Sequence, residues 1–128
     1  MEVDQLRALS LFEGLSDDEL ADCAGRFNEV EIVAGSSLAK QDDYAYKFFV
    51  VLDGEVDIHR DFTFVATLGP GEVFGEMALV KHEKRNARVT TKSRCRVACM
   101  MSWDFTAMTE QIPTVAERIN AVVQERES

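Results

Sequence analysis

Residues 47–68 read KFFVVLDGEVDIHRDFTFVATL: three short runs rich in β-branched and aromatic residues, broken at Asp53-Gly54 and at Arg60-Asp61. Runs of this length and composition between turn residues are strand signals, not helix signals. Gly accepts the positive φ that a tight two-residue turn demands, so Asp53-Gly54 predicts a hairpin closed between Leu52 and Glu55. Outward in both directions the pattern repeats, with EVEIVA (29–34) and SSLAK (36–40) before it and ARVTT (87–91) and CRVACMM (95–101) after it. Gly69-Pro70-Gly71 is the strongest break. Many short strands at this spacing predict a mainly β fold, an antiparallel β-roll of jelly-roll type.

Helical signals flank the strands. Ser16 and Glu19 have capping-box spacing, Leu15 can staple to Leu20, and Leu20, Cys23, Ala24 and Phe27 follow as one apolar stripe. A shorter helical turn precedes it, since Leu6, Leu9 and Phe12 can share a face before Gly14. After the strands, Ser102 predicts a cap for a helix holding Asp104 in its first turn and Phe105, Met108 and Ile112 on one side. Pro113 suits the first position of a last helix with Val115, Ile119 and Val122 inward, and Gln124 to Ser128 is expected to be solvated and frayed. The expected organisation is one domain over 1–128: a helical lead-in over about 1–28, a β-roll over 29–101 and C-terminal helices over 102–128.

Composition limits the function. The 128 residues are 46% hydrophobic and 29% charged, which is ordinary for a globular chain. Asp and Glu number 23 against 14 Lys and Arg, a net charge of −9 that repels a phosphate backbone, so direct nucleic-acid binding is not expected. No apolar run reaches membrane-spanning length, and the start MEVDQLRALS has no signal-peptide core, so neither membrane nor export is expected. Cys23, Cys95 and Cys99 do not form a disulfide framework and point to a reducing cytoplasm. Cys95 and Cys99 would share one strand face with Val97 between them, as core thiols rather than a metal clip.

One segment interrupts the strand pattern: Gly71–Val89, GEVFGEMALVKHEKRNARV. Gly75 permits close backbone approach, and Glu76-Met77-Ala78-Leu79 suits a short helical turn with outward N–H groups, an anion seat. Residues 81–88 then form a positive cluster in an acidic chain. Arg85 is the candidate to grip two phosphate oxygens through parallel hydrogen bonds. Glu76 would repel a bare phosphate but is a good acceptor for a sugar hydroxyl, so acid and arginine together point to a sugar phosphate.

With those residues in place, the chain resembles the cyclic nucleotide-binding domain family, which includes catabolite activator-type transcription factors and regulatory subunits of cyclic AMP-dependent protein kinase. The family's phosphate-binding cassette reads F-G-E, an aliphatic residue, A-L, a variable run, then P-R-A-A-T-V. This chain has Phe74-Gly75-Glu76-Met77-Ala78-Leu79 and Arg85-Asn86-Ala87-Arg88-Val89. LFEGLSDDEL is similar to the family's helical start, LDGEVDIHRD to its central hairpin and MSWDFTAMTEQIPTVAERI to its closing helices. The resemblance implies that Glu76 binds the ribose 2′-hydroxyl, Arg85 the exocyclic phosphate oxygens, and amides near Gly75, Met77, Ala78 and Asn86 the rest of the phosphate. Phe74, Ala87 and Val89 complete the implied site. Lys84 replaces the usual proline, Asn86 an alanine, serine or threonine, Arg88 a small residue and Asp42 a turn glycine. Asn86 leaves adenine against guanine open, and Arg88 would crowd the pocket or add a phosphate contact if it turned inward.

Other features read as structure. His59 and His82 lack the clustering of a cupin metal site, and His59 is expected to be an exposed strand residue. Phe48, Phe49 and Trp103 are expected in the core, with Met100, Met101 and Met108 filling gaps behind the pocket. No nucleophile elbow or Walker loop occurs, so no enzyme and no cofactor are expected. The expected function is a cyclic nucleotide sensor, for cyclic AMP with cyclic GMP open, relaying occupancy through the C-terminal helix to an effector domain or separate partner outside this sequence. That helix could also join a homodimer. The competing expectation is a ligand-free interaction module of the same fold, its site blocked by Arg88 or Asn86.

Overall fold

A computed structural model describes residues 1–127. Eight strands form two antiparallel four-stranded sheets. The first runs in the order β1 (Asn28–Ile32), β8 (Cys95–Met101), β3 (Lys47–Asp53), β6 (Val73–Phe74). The second runs β2 (Ser37–Ala39), β7 (Arg88–Thr91), β4 (Val56–Arg60), β5 (Thr63–Leu68). This is the expected roll, with α1 (Val3–Arg7), a 3-10 turn at Ser10–Phe12 and α2 (Asp17–Arg26) before it, α3 (Glu76–Lys81) within it, and α4 (Ser102–Gln111) and α5 (Pro113–Glu127) after it.

The first sheet is covered on both faces, which explains why KFFVVL is apolar without alternation. Phe48 and Val50 face the helices and pack with Leu6, Phe12, Leu20, Phe105, Met108 and Ile119. Phe49 and Val51 face the second sheet and pack with Val56, Leu68, Phe74 and Val89. In β8, Ala98 and Met100 join the helical layer, while Cys95, Val97 and Cys99 join the layer between the sheets. All three cysteines are free and buried. The methionines divide: Met100 and Met108 sit in the helical layer, Met101 is half-buried, and none of the three lines the cavity described below.

The Asp53-Gly54 expectation is corrected. β3 pairs with β8 and β6, whereas β4 pairs with β5 and β7, so the turn is a corner between sheets and closes no hairpin. Gly54 has φ +83°, and a Cβ there would stand 2.3 Å from the Arg94 carbonyl oxygen. The hairpin lies at the next break, where Asp61 and Phe62 at φ 51° and 66° turn β4 into β5.

In α2 the Ser16 hydroxyl accepts from the Glu19 amide at 3.1 Å and the Glu19 carboxylate from the Ser16 amide at 3.0 Å, the predicted capping box. Ser102 does not cap α4: it is the first helical residue, Met101 holds the cap position, and no side chain bonds there. Trp103 follows on the outer side of that first turn and is 65% exposed, so it is not core. His59 is half-buried against Phe64, with its Nδ1 enclosed and unbonded, rather than exposed. Pro113 opens α5, whose inward stripe is Val115, Ile119 and Val123, with Val122 partly buried beside it. No helix among the described residues is long and apolar enough to cross a membrane.

Candidate functional site: a charged cavity in the roll

β6 ends at Phe74, and Gly75 takes φ +91° to swing the chain into α3. The geometry requires glycine, because a Cβ would meet Arg85 Nη1 at 2.7 Å and the Lys47 carbonyl oxygen at 2.9 Å. After one and a half turns His82, left-handed at φ 55°, ends the helix, its amide donating to the Ala78 carbonyl. The chain then returns through Arg85, whose backbone is pinned on both sides: its amide donates to the Asp43 carbonyl and its carbonyl accepts from Asp42, both at 2.8 Å. Asp42 is left-handed at φ 68°, a conformation Asp tolerates in place of glycine.

Arg85 is buried, 8% exposed, and its guanidinium donates to the Gly75 carbonyl at 2.8 Å and to the Lys47 carbonyl. Burial lowers the pKa of this guanidinium, with the Glu76 carboxylate acting against the shift. Glu76 is 1% exposed. One of its oxygens accepts from Arg126 at 2.5 Å, and the other, Oε2, is enclosed without a partner. A buried carboxylate oxygen with no donor is costly and unusual in a native fold.

Both groups line one cavity of about 270 Å³. Phe74, Gly75, Glu76, Met77, Ala78, Arg85, Asn86, Ala87 and Val89 all line it, together with Ile58, Arg60, Val65, Ala66 and Leu68 from the β4–β5 wall. Arg88 does not. Val89 points inward, so strand alternation sends its neighbour Arg88 to the exposed face opposite His59. The Asn86 side chain donates to Met77 Sδ at 3.1 Å, and its backbone carbonyl accepts from Arg60 Nε at 3.2 Å.

The sequence reading missed the β4–β5 wall of the cavity and also Arg126. That arginine lies in the tail expected to fray, yet α5 continues to Glu127, and Arg126 also donates to the Val73 carbonyl at 2.5 Å. Glu127 pairs with Lys81, so two ion pairs tie the last turn of α5 to α3. The signal was available: Arg126 falls seven positions after Ile119, on the stripe that buries Val115 and Ile119.

The family model for the cyclic nucleotide-binding domain matches residues 29–111. The chain belongs to that family. It is 26% identical over 126 residues to the cyclic AMP receptor protein of Thermus thermophilus, covering 94% of this chain and 58% of that protein. Among solved structures, the regulatory domain of Toxoplasma gondii PKA with cAMP superposes with a TM-score of 0.88 at 22% identity, over 96% of this chain and 48% of that one. The regulatory subunit of a cAMP-independent protein kinase A from Trypanosoma brucei superposes with a TM-score of 0.87 at 18% identity, over 95% of this chain and 44% of that one. The fold is therefore shared by proteins described as cyclic AMP-bound and as cAMP-independent, and the side chains in the cavity must decide between them. The chain also spans only 29% to 33% of the length of the potassium channel proteins it matches.

Proposed function

We propose that the protein is a non-catalytic sensor that binds a cyclic nucleotide, cyclic AMP first, in the Glu76/Arg85 cavity. The observation that carries this reading is the unpartnered Glu76 Oε2 beside a buried guanidinium in one cavity. A ribose hydroxyl supplies the donor that Oε2 lacks, and a phosphate diester supplies the anion for Arg85, which now rests on two carbonyls. Arg126 on Oε1 offsets the repulsion between Glu76 and that phosphate. The β4–β5 wall of Ile58, Val65 and Ala66 is the apolar surface left for the base. Cyclic AMP is preferred because a relative at 26% identity is described as a receptor for it; Asn86 leaves cyclic GMP as the second candidate.

In this reading the output runs through α5. The same carboxylate meets the ligand on one oxygen and α5 on the other, so occupancy biases how the helix end sits, and an effector domain or partner responds. Three buried free thiols suit a reducing cytoplasm. The blocked-module reading loses one of its two supports, since Arg88 is outside the cavity. Titration calorimetry with cyclic AMP and cyclic GMP is the test: saturable heat with cyclic AMP is expected, and no heat with either ligand would sink the sensor.

A further inference from the structure

The chain has two tyrosines and one tryptophan. All three stand exposed, Tyr44 at 68%, Tyr46 at 59% and Trp103 at 65%, around a single groove of about 530 Å³ on the outer side of α3. Leu79 and Ala78 of α3 and Ala45 supply its small apolar surfaces. Nothing in the nucleotide reading uses these rings. Tyr and Trp with a dry face and a polar tip are the side chains that anchor protein interfaces, and exposed rings gathered at one place call for an occupant. Rings this exposed could not enclose a small molecule, whose sites bury most of the ligand; a side chain laid across them from another protein suits the shape.

Charge selects the occupant. Lys84 sits at the rim with its ammonium 5.1 Å from the Tyr44 ring centroid, and His82 lies beside it. Lys40 and Lys47 border a shallow hollow that shares Tyr44 and Tyr46, so that across groove and hollow Lys40, Lys47, Lys84 and Arg85 stand against the carboxylates Asp43 and Glu83. The net −9 is spread over the molecule and screened beyond about 8 Å at physiological salt, so the local excess of cations governs contact. We propose that this groove docks an acidic segment of a partner protein, with one aliphatic or aromatic side chain between Tyr46 and Trp103 and carboxylates toward Lys84 and His82.

Trp103, the chain's one tryptophan, reports on the groove directly. The probe is a phage-displayed library of peptides carrying one Leu, Ile or Phe among Asp and Glu residues, with a matched Lys and Arg library beside it. Both are selected on the full chain and counter-selected on the Tyr46→Ala, Trp103→Ala double variant, whose thermal unfolding and far-ultraviolet circular dichroism check that the fold is kept. Acidic peptides should be enriched, and when synthesised should change Trp103 emission saturably. Their affinity should fall about tenfold or more in Tyr46→Ala, and should fall again in Lys84→Glu and with added salt. Absence of acidic peptides above counter-selection, enrichment of the basic library instead, or equal binding by Tyr46→Ala would each overturn the proposal. None of these outcomes depends on whether the cavity binds a nucleotide, so the two readings fail separately.

Discussion

At the scale of single residues, the cavity depends on a glycine that cannot be replaced and an arginine that needs it. With φ +91° and Arg85 Nη1 only 2.7 Å from a Cβ at Gly75, Gly75→Ala must displace the guanidinium or the β3 backbone. It should cost about 1–3 kcal/mol of stability and weaken ligand binding; an unchanged urea midpoint would contradict this geometry. Arg85→Ala should cost about 2–5 kcal/mol of cyclic nucleotide binding, roughly thirtyfold to several thousandfold in affinity. Lys84→Ala should cost far less, because its ammonium packs on Tyr44 outside the cavity. Equal losses in calorimetry would move the phosphate grip away from Arg85. Away from the site, burial and the neighbouring Asp22 push the Cys23 thiol up to about 11. A raised thiol pKa means that the folded state keeps a proton which the unfolded state releases, so this contribution is full below about 9 and lost as pH rises toward about 11. The unfolding free energy measured across that window should decline more steeply for the wild type than for Cys23→Ala.

At the scale of elements, two connections set what the strands and helices can do. The corner at Gly54 lets consecutive strands join different sheets, and only a residue without a Cβ fits there, since a Cβ would stand 2.3 Å from the Arg94 carbonyl oxygen. Gly54→Ala should lower the thermal midpoint, whereas Gly25→Ala in α2, with open space around its Cβ position, should not. The second connection is the end of α5. Arg126→Ala removes the cation from the fully buried Glu76. Discounted for an Arg126 side chain that is 30% exposed, the loss should be about 1–3 kcal/mol. Hydrogen exchange should quicken in the last turn of α5 and leave α2 unchanged; equal protection in both proteins would show that the ion pair does not hold the helix end.

At the scale of the whole molecule, binding and folding are linked. A ligand at about one hundred times its Kd adds about 2.7 kcal/mol to the folded state. Cyclic AMP should therefore raise the unfolding midpoint by several degrees, and Arg85→Ala should abolish the rise. The short β-branched and aromatic runs between turn residues, the capping box of α2, Pro113 at the head of α5 and the Phe74-Gly75-Glu76 to Arg85 spacing are local patterns. From them the roll, its flanking helices and the cavity-lining segment could be read directly, because such patterns act between near neighbours whatever the rest of the chain does. The partner of β3, the outward turn of Trp103 and the exposed side of Arg88 could not, and the stripe that places Arg126 on the inner side of α5 did not say that it ends at the cavity. Each depends on which element packs opposite, and residues distant in the chain are brought together only when both sheets and α5 bury their faces at once. Sequence by itself determined what the pieces are and where the charges sit along the chain; the tertiary structure alone decided that Glu76 is shared between a cavity and a helix, since one carboxylate can serve both only where packing closes them around it.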